Sequence, residues 1–248
     1  MNDSTKWTIG LDIAPLTKIN AAELFGASGK DSFQEFILAL AVVYNDLKDL
    51  IVFQNWLNKK RPANSDPSPF NGEWLGISLH ISRLIFGVLH EFLELLKKST
   101  DVLNSPEFRD LLAETRPRTR GRWKTVVAVA NGETGSYNSE LARSLLIIRN
   151  NFSYHYYQPR SILDGFRQRF LSDPKVPKTE FAFCSLGQTV GETRFYFADA
   201  AVQGGLEHFT EKFGTPNFSS ECLKLIKTVN KTLVEVICSY INSRKAFL

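Results

Sequence analysis

A helical fold is indicated first by residues 32–60, which read SFQEFILALAVVYNDLKDLIVFQNWLNKK. Apolar residues recur in this stretch at intervals of three and four, the spacing that places them on one face of an α-helix. Ser32 followed three residues later by Glu35 forms a capping box, which predicts that the helix begins at Ser32. The basic residues at 59–61 complement the negative end of the helix dipole, and Pro62 cannot continue the helix. The stretch therefore predicts one long amphipathic helix.

The same apolar spacing recurs through most of the chain. Residues 1–30 are an irregular lead-in with one short helix near residues 19–25, and a loop rich in proline, serine and asparagine covers residues 62–72. Further helices are predicted at about 73–99, 106–115, 139–157, 161–171, 199–212 and 219–243. The expected fold class is therefore mainly α, a helical bundle of about six substantial helices in one domain that spans residues 1–248.

One segment departs from the helical pattern. Residues 181–185 and 193–197 are rich in aromatic side chains and flank a glycine-containing turn at 187–191. They predict a small β-hairpin at about 181–197, inserted between helices over residues 179–198. An isolated hairpin is unstable in water, so we expect it to pack on the helical body or against a partner. There it would brace a dimer or cover a cleft.

Composition places the chain among ordinary globular proteins. Hydrophobic residues make up 43% and charged residues 23%, which is too apolar for a disordered chain. No apolar run reaches the ~18 residues that a membrane span requires, and no apolar signal core follows the N-terminus. The three cysteines, Cys184, Cys222 and Cys238, form no CxxC pair, which suits a reducing compartment. We therefore expect a cytoplasmic protein without membrane contact.

The positive charge of the chain is concentrated in its middle third. The formal net charge is +4, but residues 116–178 contain twelve Lys/Arg and four Asp/Glu, a local charge of +8. The remaining residues therefore sum to −4. A basic segment in an acidic frame predicts an anionic partner for that segment.

Residues 116–124, RPRTRGRWK, are the most basic part of this segment. One interpretation is a solvated charged loop, as for most such runs. Here, however, the cations alternate with small or rigid residues, and Trp123 offers a face for base stacking, so contact with RNA phosphates competes with that interpretation. The residues predicted to bind RNA in this stretch are Arg116, Arg118, Arg120, Arg122 and Lys124.

The residues suited to chemistry concentrate at 149–157, RNNFSYHYY, directly after an apolar helical run. Arg149 stays charged, and its planar fork can bind two phosphate oxygens at once. His155 can take or release a proton near neutrality, because the ordinary pKa of histidine is ~6.5. Asn150 is expected to orient the imidazole or the phosphate. Stacking on unpaired bases is predicted for Tyr154, Tyr156 and Tyr157.

Neither a metal nor a cofactor is predicted. Residues 149–157 contain no carboxylate and therefore no obvious magnesium site. His80 and His90 fall on the second long helix, about 80° apart around its axis and about 15 Å along it, too far to share a metal. We expect these two histidines to be packed or surface residues.

The spacing of Arg149 and His155 does not by itself bring their side chains together. Residues six apart on an ideal helix lie about 120° apart around the axis and about 9 Å along it. The two groups converge only if the helix is distorted near residues 150–153, or if a second copy of the chain supplies one of them. A two-fold dimer would also supply two imidazoles, which RNA cleavage by 2′-hydroxyl attack can use as general base and general acid.

Arg149-Asn150, followed by four residues and then His155, resembles the R-polar-x4-H signature of HEPN domains (higher eukaryotes and prokaryotes nucleotide-binding), and the apolar helix upstream fits it as well. The resemblance implies a helical bundle that typically dimerises. In many members it also implies a metal-independent endoribonuclease, with Arg149 and His155 as catalytic residues in a shared cleft and Asn150 in support. HEPN domains are frequent in prokaryotic toxin–antitoxin, abortive-infection and CRISPR systems, so the expected partners are RNA, a second copy and an antitoxin or other defence component.

Two other functions are compatible with the same residues. A non-catalytic HEPN-like module would hold RNA or a nucleotide in the same cleft, or serve as an assembly subunit. Alternatively, the chain is a helical interaction protein in which the motif is coincidental. The two long helices at 32–60 and 73–99, the basic stretch and the hairpin are not part of a minimal HEPN unit, and they leave the subfamily open.

Overall fold

The computed structural model describes residues 15–25, 31–63, 68–133, 140–153, 159–172, 182–213 and 217–245. Within these ranges the mainly α fold is confirmed, and the chain forms ten α-helices and two π-helical segments. The α-helices are α1 (Ala21–Leu24), α2 (Ser32–Asn58), α3 (Pro69–Lys98), α4 (Thr100–Leu103), α5 (Pro106–Glu114), α6 (Pro117–Ala130), α7 (Leu141–Ile148), α8 (Pro159–Arg167), α9 (Tyr196–Phe213) and α10 (Phe218–Ser243). The π-helical segments are π1 (Arg149–Ser153) after α7 and π2 (Gln168–Ser172) after α8.

The helices α2, α3 and α5 begin at side chains that satisfy free N–H groups of the first turn. Asp31 accepts two backbone hydrogen bonds from the start of α2, of 2.9 and 3.2 Å. Ser68 caps α3 in the same way and is followed by Pro69, and Ser105 followed by Pro106 repeats this arrangement at α5. Proline suits the first helical position because the N–H that it lacks would have no partner there.

Some predicted boundaries were wrong for this reason. The cap of α2 is Asp31 rather than a Ser32 capping box, since the Asp31 carboxylate reaches the first-turn N–H groups directly. α3 begins at Pro69, inside the predicted loop at 62–72, because the Ser68 cap already starts the helix. Later in the chain, α8 begins at Pro159, two residues before the predicted start at Ser161.

The predicted β-hairpin at 181–197 is wrong for the residues that the structure describes there. A single antiparallel bridge forms, in which Ser185 and Arg194 exchange backbone hydrogen bonds of 2.8 and 2.9 Å. The second predicted strand cannot extend, because α9 begins at Tyr196. Asp199 lies in the first turn of α9 and binds Arg194 at 2.9 Å. A carboxylate at the positive end of a helix favours helix formation at this point.

α3 provides the largest shared surface of the hydrophobic core. It packs against α2, α6, α7, π1 and α9. Trp123 of α6 joins this core beside Phe36 of α2 and Phe108 of α5, with ring centroids 6.5 and 5.0 Å away. None of the helices in the described ranges combines the length and the apolar character needed to cross a membrane. The core side chains that α3 contributes are Ile81, Ile85, Leu89, Phe92, Leu93 and Leu96.

α8 and α9 cross with their backbones in direct contact. A Cβ atom on Gly165 of α8 would overlap the Ala201 carbonyl and the backbone of Gly205 in α9. A Cβ atom on Gly204 would lie 2.5 Å from the Gly165 carbonyl oxygen. Only residues without a side chain permit this approach, so the crossing fixes α8, the helix that follows the 149–157 motif in the chain.

Gly165→Ala is expected to lower the free energy of unfolding by about 1–3 kcal/mol, because the added methyl group separates α8 from α9. Gly121→Ala is the matched control, since Gly121 also lies inside a helix but a Cβ there meets no atom within 4 Å. We expect it to stabilise the protein by about 0.5–1 kcal/mol, because alanine is the better helix former. Urea unfolding followed by circular dichroism measures both changes. Equal effects of the two substitutions would contradict the close crossing.

Candidate functional site

The helix that carries the motif is distorted where the motif begins. α7 buries Leu141, Leu145 and Ile148 completely, and the backbone changes to π-helical geometry at Arg149. Phe152, only 3% exposed, anchors π1 in the core. π-helical turns inside helices are rare and frequently occur at functional sites. A distortion at these residues is one of the two conditions under which Arg149 and His155 were expected to converge.

Arg149 lies between a carboxylate of α3 and the residue that follows it. Its Nη2 atom is 3.1 Å from Oε1 of Glu91, and its Nη1 atom donates a hydrogen bond of 3.0 Å to Oδ1 of Asn150. The side chains of Arg149 and Glu91 are 30% and 57% exposed. An ion pair this accessible to water contributes at most about 1 kcal/mol. Glu91 therefore orients the guanidinium, and an anion from solvent can compete for it.

An arginine of α3, Arg83, holds the other end of π1. Nη1 of Arg83 donates a hydrogen bond of 2.9 Å to the Phe152 carbonyl, near the end of π1. Nη2 of Arg83 lies 3.2 Å from Nδ1 of His80. Because arginine has no acceptor atom, Nδ1 accepts this bond and the proton of the neutral ring lies on Nε2. Partial burial, followed by the nearby Arg83 and Arg194 cations, lowers the pKa of His80, which favours this neutral ring.

These contacts come from one polar stripe on α3. Its members are spaced by one, three or seven residues, which keeps them within about 100° of one another around the helix axis and on the side away from the core residues, with the buried His90 at its edge. The stripe binds two separate segments: Glu73 binds Arg194, which precedes α9, at 2.9 Å, while Arg83 and Glu91 bind Phe152 and Arg149 of π1. The stripe consists of Glu73, His80, Arg83, His90, Glu91 and Glu94.

This stripe was not predicted from the sequence. His80 and His90 were expected only to be packed or surface residues, and no role was predicted for Arg83 or Glu91. The sequence does contain a sign of the stripe: the charged residues and histidines of 73–94 fall on one side of a helical projection, opposite most of the apolar residues. Sequence alone does not indicate which segment such a stripe meets, because that depends on how α7 packs on α3.

The predicted motif residues are only partly placed. Arg149 and Asn150 are brought together and joined by a hydrogen bond. His155, Tyr154 and Tyr156 lie outside the described residues, as does Tyr157. Among the residues that are described, no group of three or more His, Cys, Asp or Glu side chains is arranged to hold a metal ion.

The basic stretch at 116–124 is a helix rather than a loop, since Pro117 opens α6 and residues 123–130 anchor it in the core. Trp123 is 4% exposed, so the prediction that it offers a stacking face was wrong. The cations of the stretch also have different surroundings. Arg120 donates hydrogen bonds to the Ala113 and Thr115 carbonyls at the end of α5, and Arg122 pairs with Glu235 of α10 at 3.2 Å. The exposed cations are Arg116, Arg118 and Lys124.

His90 gives the site a pH-dependent stability. The residue is 6% exposed, and burial lowers the pKa of its imidazole from the ordinary 6.5. The nearby Glu91 and Glu94 partly oppose this lowering of the pKa, and Arg149 and Lys97 add to it. The unfolded chain therefore binds more protons than the folded chain just below pH 6.5, and stability falls as the pH falls through this range.

We expect His90→Gln to reduce this loss of stability on acidification, because glutamine does not titrate. The measurement is urea unfolding of the unchanged protein and of His90→Gln at pH 7.5, 6.5 and 5.5. The free energy of unfolding of the unchanged protein minus that of the variant should decrease as the pH falls. A difference that is constant over this range would show that His90 is not the group responsible.

The chain was compared with models of known protein families, with curated proteins and with solved structures, and none of them matches it. Function is therefore inferred from the residues of the chain itself. They are Arg149, Asn150 and His155 with their spacing, the π-helical segment that begins at Arg149, and the α3 side chains that hold this segment.

Proposed function

We propose that the protein is a metal-independent endoribonuclease of the HEPN type, active as a homodimer in the cytoplasm. One observation carries the proposal: the π-helical segment begins at the first residue of the motif and is held at both ends by charged residues of α3. Glu91 contacts Arg149 at 3.1 Å, and Arg83 binds the Phe152 carbonyl at 2.9 Å. An ordinary helix end is not held in this way, whereas a site that must position a phosphate requires fixed geometry.

In the proposed reaction Arg149 binds the scissile phosphate in place of its contact with Glu91. A general base removes the proton of the 2′-hydroxyl, and the 2′-oxygen then attacks the adjacent phosphorus. The bond from phosphorus to the 5′-oxygen breaks, and a general acid protonates that oxygen as it leaves. The products are a 2′,3′-cyclic phosphate and a 5′-hydroxyl end. Arg149 stabilises the charge that grows on the phosphate oxygens, and Asn150 keeps the guanidinium in place.

A homodimer would supply both the general base and the general acid that the reaction requires. The motif of one chain contains a single histidine, His155, and its two-fold mate supplies the second in a shared cleft. Leu146 lies one helical turn before Asn150 and is 41% exposed, which offers an apolar contact for the second copy beside the motif. An antitoxin or another defence component would then act by blocking this cleft.

His155→Ala is expected to lower the rate of RNA cleavage at least 100-fold, because general acid–base catalysis contributes about 10²–10⁴-fold. The assay uses purified protein and a labelled single-stranded RNA in EDTA, and it identifies the products by their 2′,3′-cyclic phosphate and 5′-hydroxyl ends. His208→Ala is the control, since it removes a histidine that lies outside the motif.

Circular dichroism and measurement of the solution mass must show that both variants keep the fold and the assembly of the unchanged protein. Cleavage that persists in His155→Ala would refute the catalytic role. Binding of the RNA without cleavage by the unchanged protein would support the non-catalytic HEPN-like module in its place.

A further inference from the structure

A groove between α6 and α10 is lined by positive charge. Its volume is about 390 Å³. α6 contributes Arg118 and Arg122, four residues apart and therefore on one face of the helix. α10 contributes the opposite wall, and none of the residues that line the groove is acidic. The cations of the α10 wall are Lys224, Lys227 and Lys231.

The three lysines form a continuous stripe along α10. Their spacing of three and four residues keeps them within about 60° of one another around the helix axis. The distance from the first to the last is about 10 Å along the axis. All three are exposed. The α10 wall is therefore a row of cations that points into solvent rather than a set of residues needed for packing.

Glu235, the α10 carboxylate that contacts α6, is already bound. Glu235, one turn after Lys231, pairs with Arg122 at 3.2 Å and also accepts a hydrogen bond from the hydroxyl of Thr119. Among the described residues, no carboxylate forms an ion pair with Arg118, Lys227 or Lys231. The groove thus keeps most of its positive charge available to an incoming anion.

The geometry indicates an extended anion rather than a compact one. A single phosphate cannot contact cations that are spread over about 10 Å on two walls, whereas successive phosphates of one strand can. The groove offers no aromatic side chain for base stacking, and Leu223, 58% exposed, is its apolar contact. Recognition through the phosphates alone is independent of sequence.

We propose that the α6–α10 groove binds the sugar–phosphate backbone of single-stranded RNA. In the context of the proposed nuclease, on which the choice of RNA rests, it would hold the substrate beyond the cleavage site. From the sequence, RNA contact was predicted for all five cations at 116–124. The groove retains only Arg118 and Arg122 from that set and adds the three lysines of α10.

The test is the binding of a fluorescein-labelled 20-nucleotide poly-uridine RNA, measured by anisotropy in EDTA at several salt concentrations. It is performed with His155→Ala as the parent, so that cleavage does not interfere. Adding Lys224→Gln, Lys227→Gln and Lys231→Gln together should weaken binding about 10- to 100-fold at 0.1 M salt. The slope of log K against log[salt] should become shallower by about 2, because each phosphate contact on a single strand contributes ~0.7.

Two variants control for loss of positive charge elsewhere on the surface and for folding. Lys59→Gln with Lys60→Gln removes exposed lysines at the end of α2 and should leave RNA binding nearly unchanged. The triple Lys→Arg variant at the three α10 positions keeps the charge and should bind RNA like the parent. Unchanged affinity in the triple Gln variant would overturn the inference, as would an equal loss in the α2 control.

Two further measurements separate this inference from the proposed function. Inorganic triphosphate or a 20-residue poly-glutamate that displaces the RNA at equal charge concentration would overturn the choice of RNA backbone as the ligand. RNA binding that requires the three lysines, in a protein that never cleaves RNA, would support the groove and refute the nuclease. Cleavage that depends on His155 but not on the three lysines, with unchanged RNA affinity in the triple Gln variant, would support the nuclease and refute the groove.

Discussion

The structure depends on the burial of α3 by helices from most of the chain. Its apolar face supplies core residues such as Leu89, Phe92 and Leu93, which are at most 1% exposed. Burial of large side chains is the main stabilising contribution to a fold of this kind, at roughly 1.5–3 kcal/mol for each one. Because α2, α6, α7 and α9 all pack on α3, the polar stripe that remains on α3 is held in a fixed position relative to each of them.

This arrangement gives the candidate site its rigidity. The stripe contacts π1 through Arg83, which binds the Phe152 carbonyl, and through Glu91, which binds Arg149, so the motif is attached to a helix that packs against α2, α6, α7 and α9. A π-helical turn supported from outside can keep a geometry that an isolated helix would not. The α6–α10 groove depends on the same core, because Trp123 fixes α6 while Arg118 and Arg122 remain at its surface.

The sequence predicted the long helices well because they carry strong apolar periodicity and clear end signals, as at Ser105–Pro106. It failed where two local signals competed. At 181–197 the aromatic residues favoured strands, but Asp199 and its contact with Arg194 favoured the start of α9. At 116–124 the charges suggested a loop, but Trp123 and the valines after it provided a buried face that made the stretch helical.

By itself the sequence determined the helical class, the positions of the principal helices and the spacing of Arg149, Asn150 and His155. These properties follow from residue spacing, which is local. The tertiary structure alone decided that Glu91 faces Arg149, that Arg83 reaches Phe152, and that the lysines of α10 stand opposite the arginines of α6. Each of these pairs joins residues at least 58 positions apart, and no local preference specifies which helix faces meet; that choice belongs to the packing of the whole core.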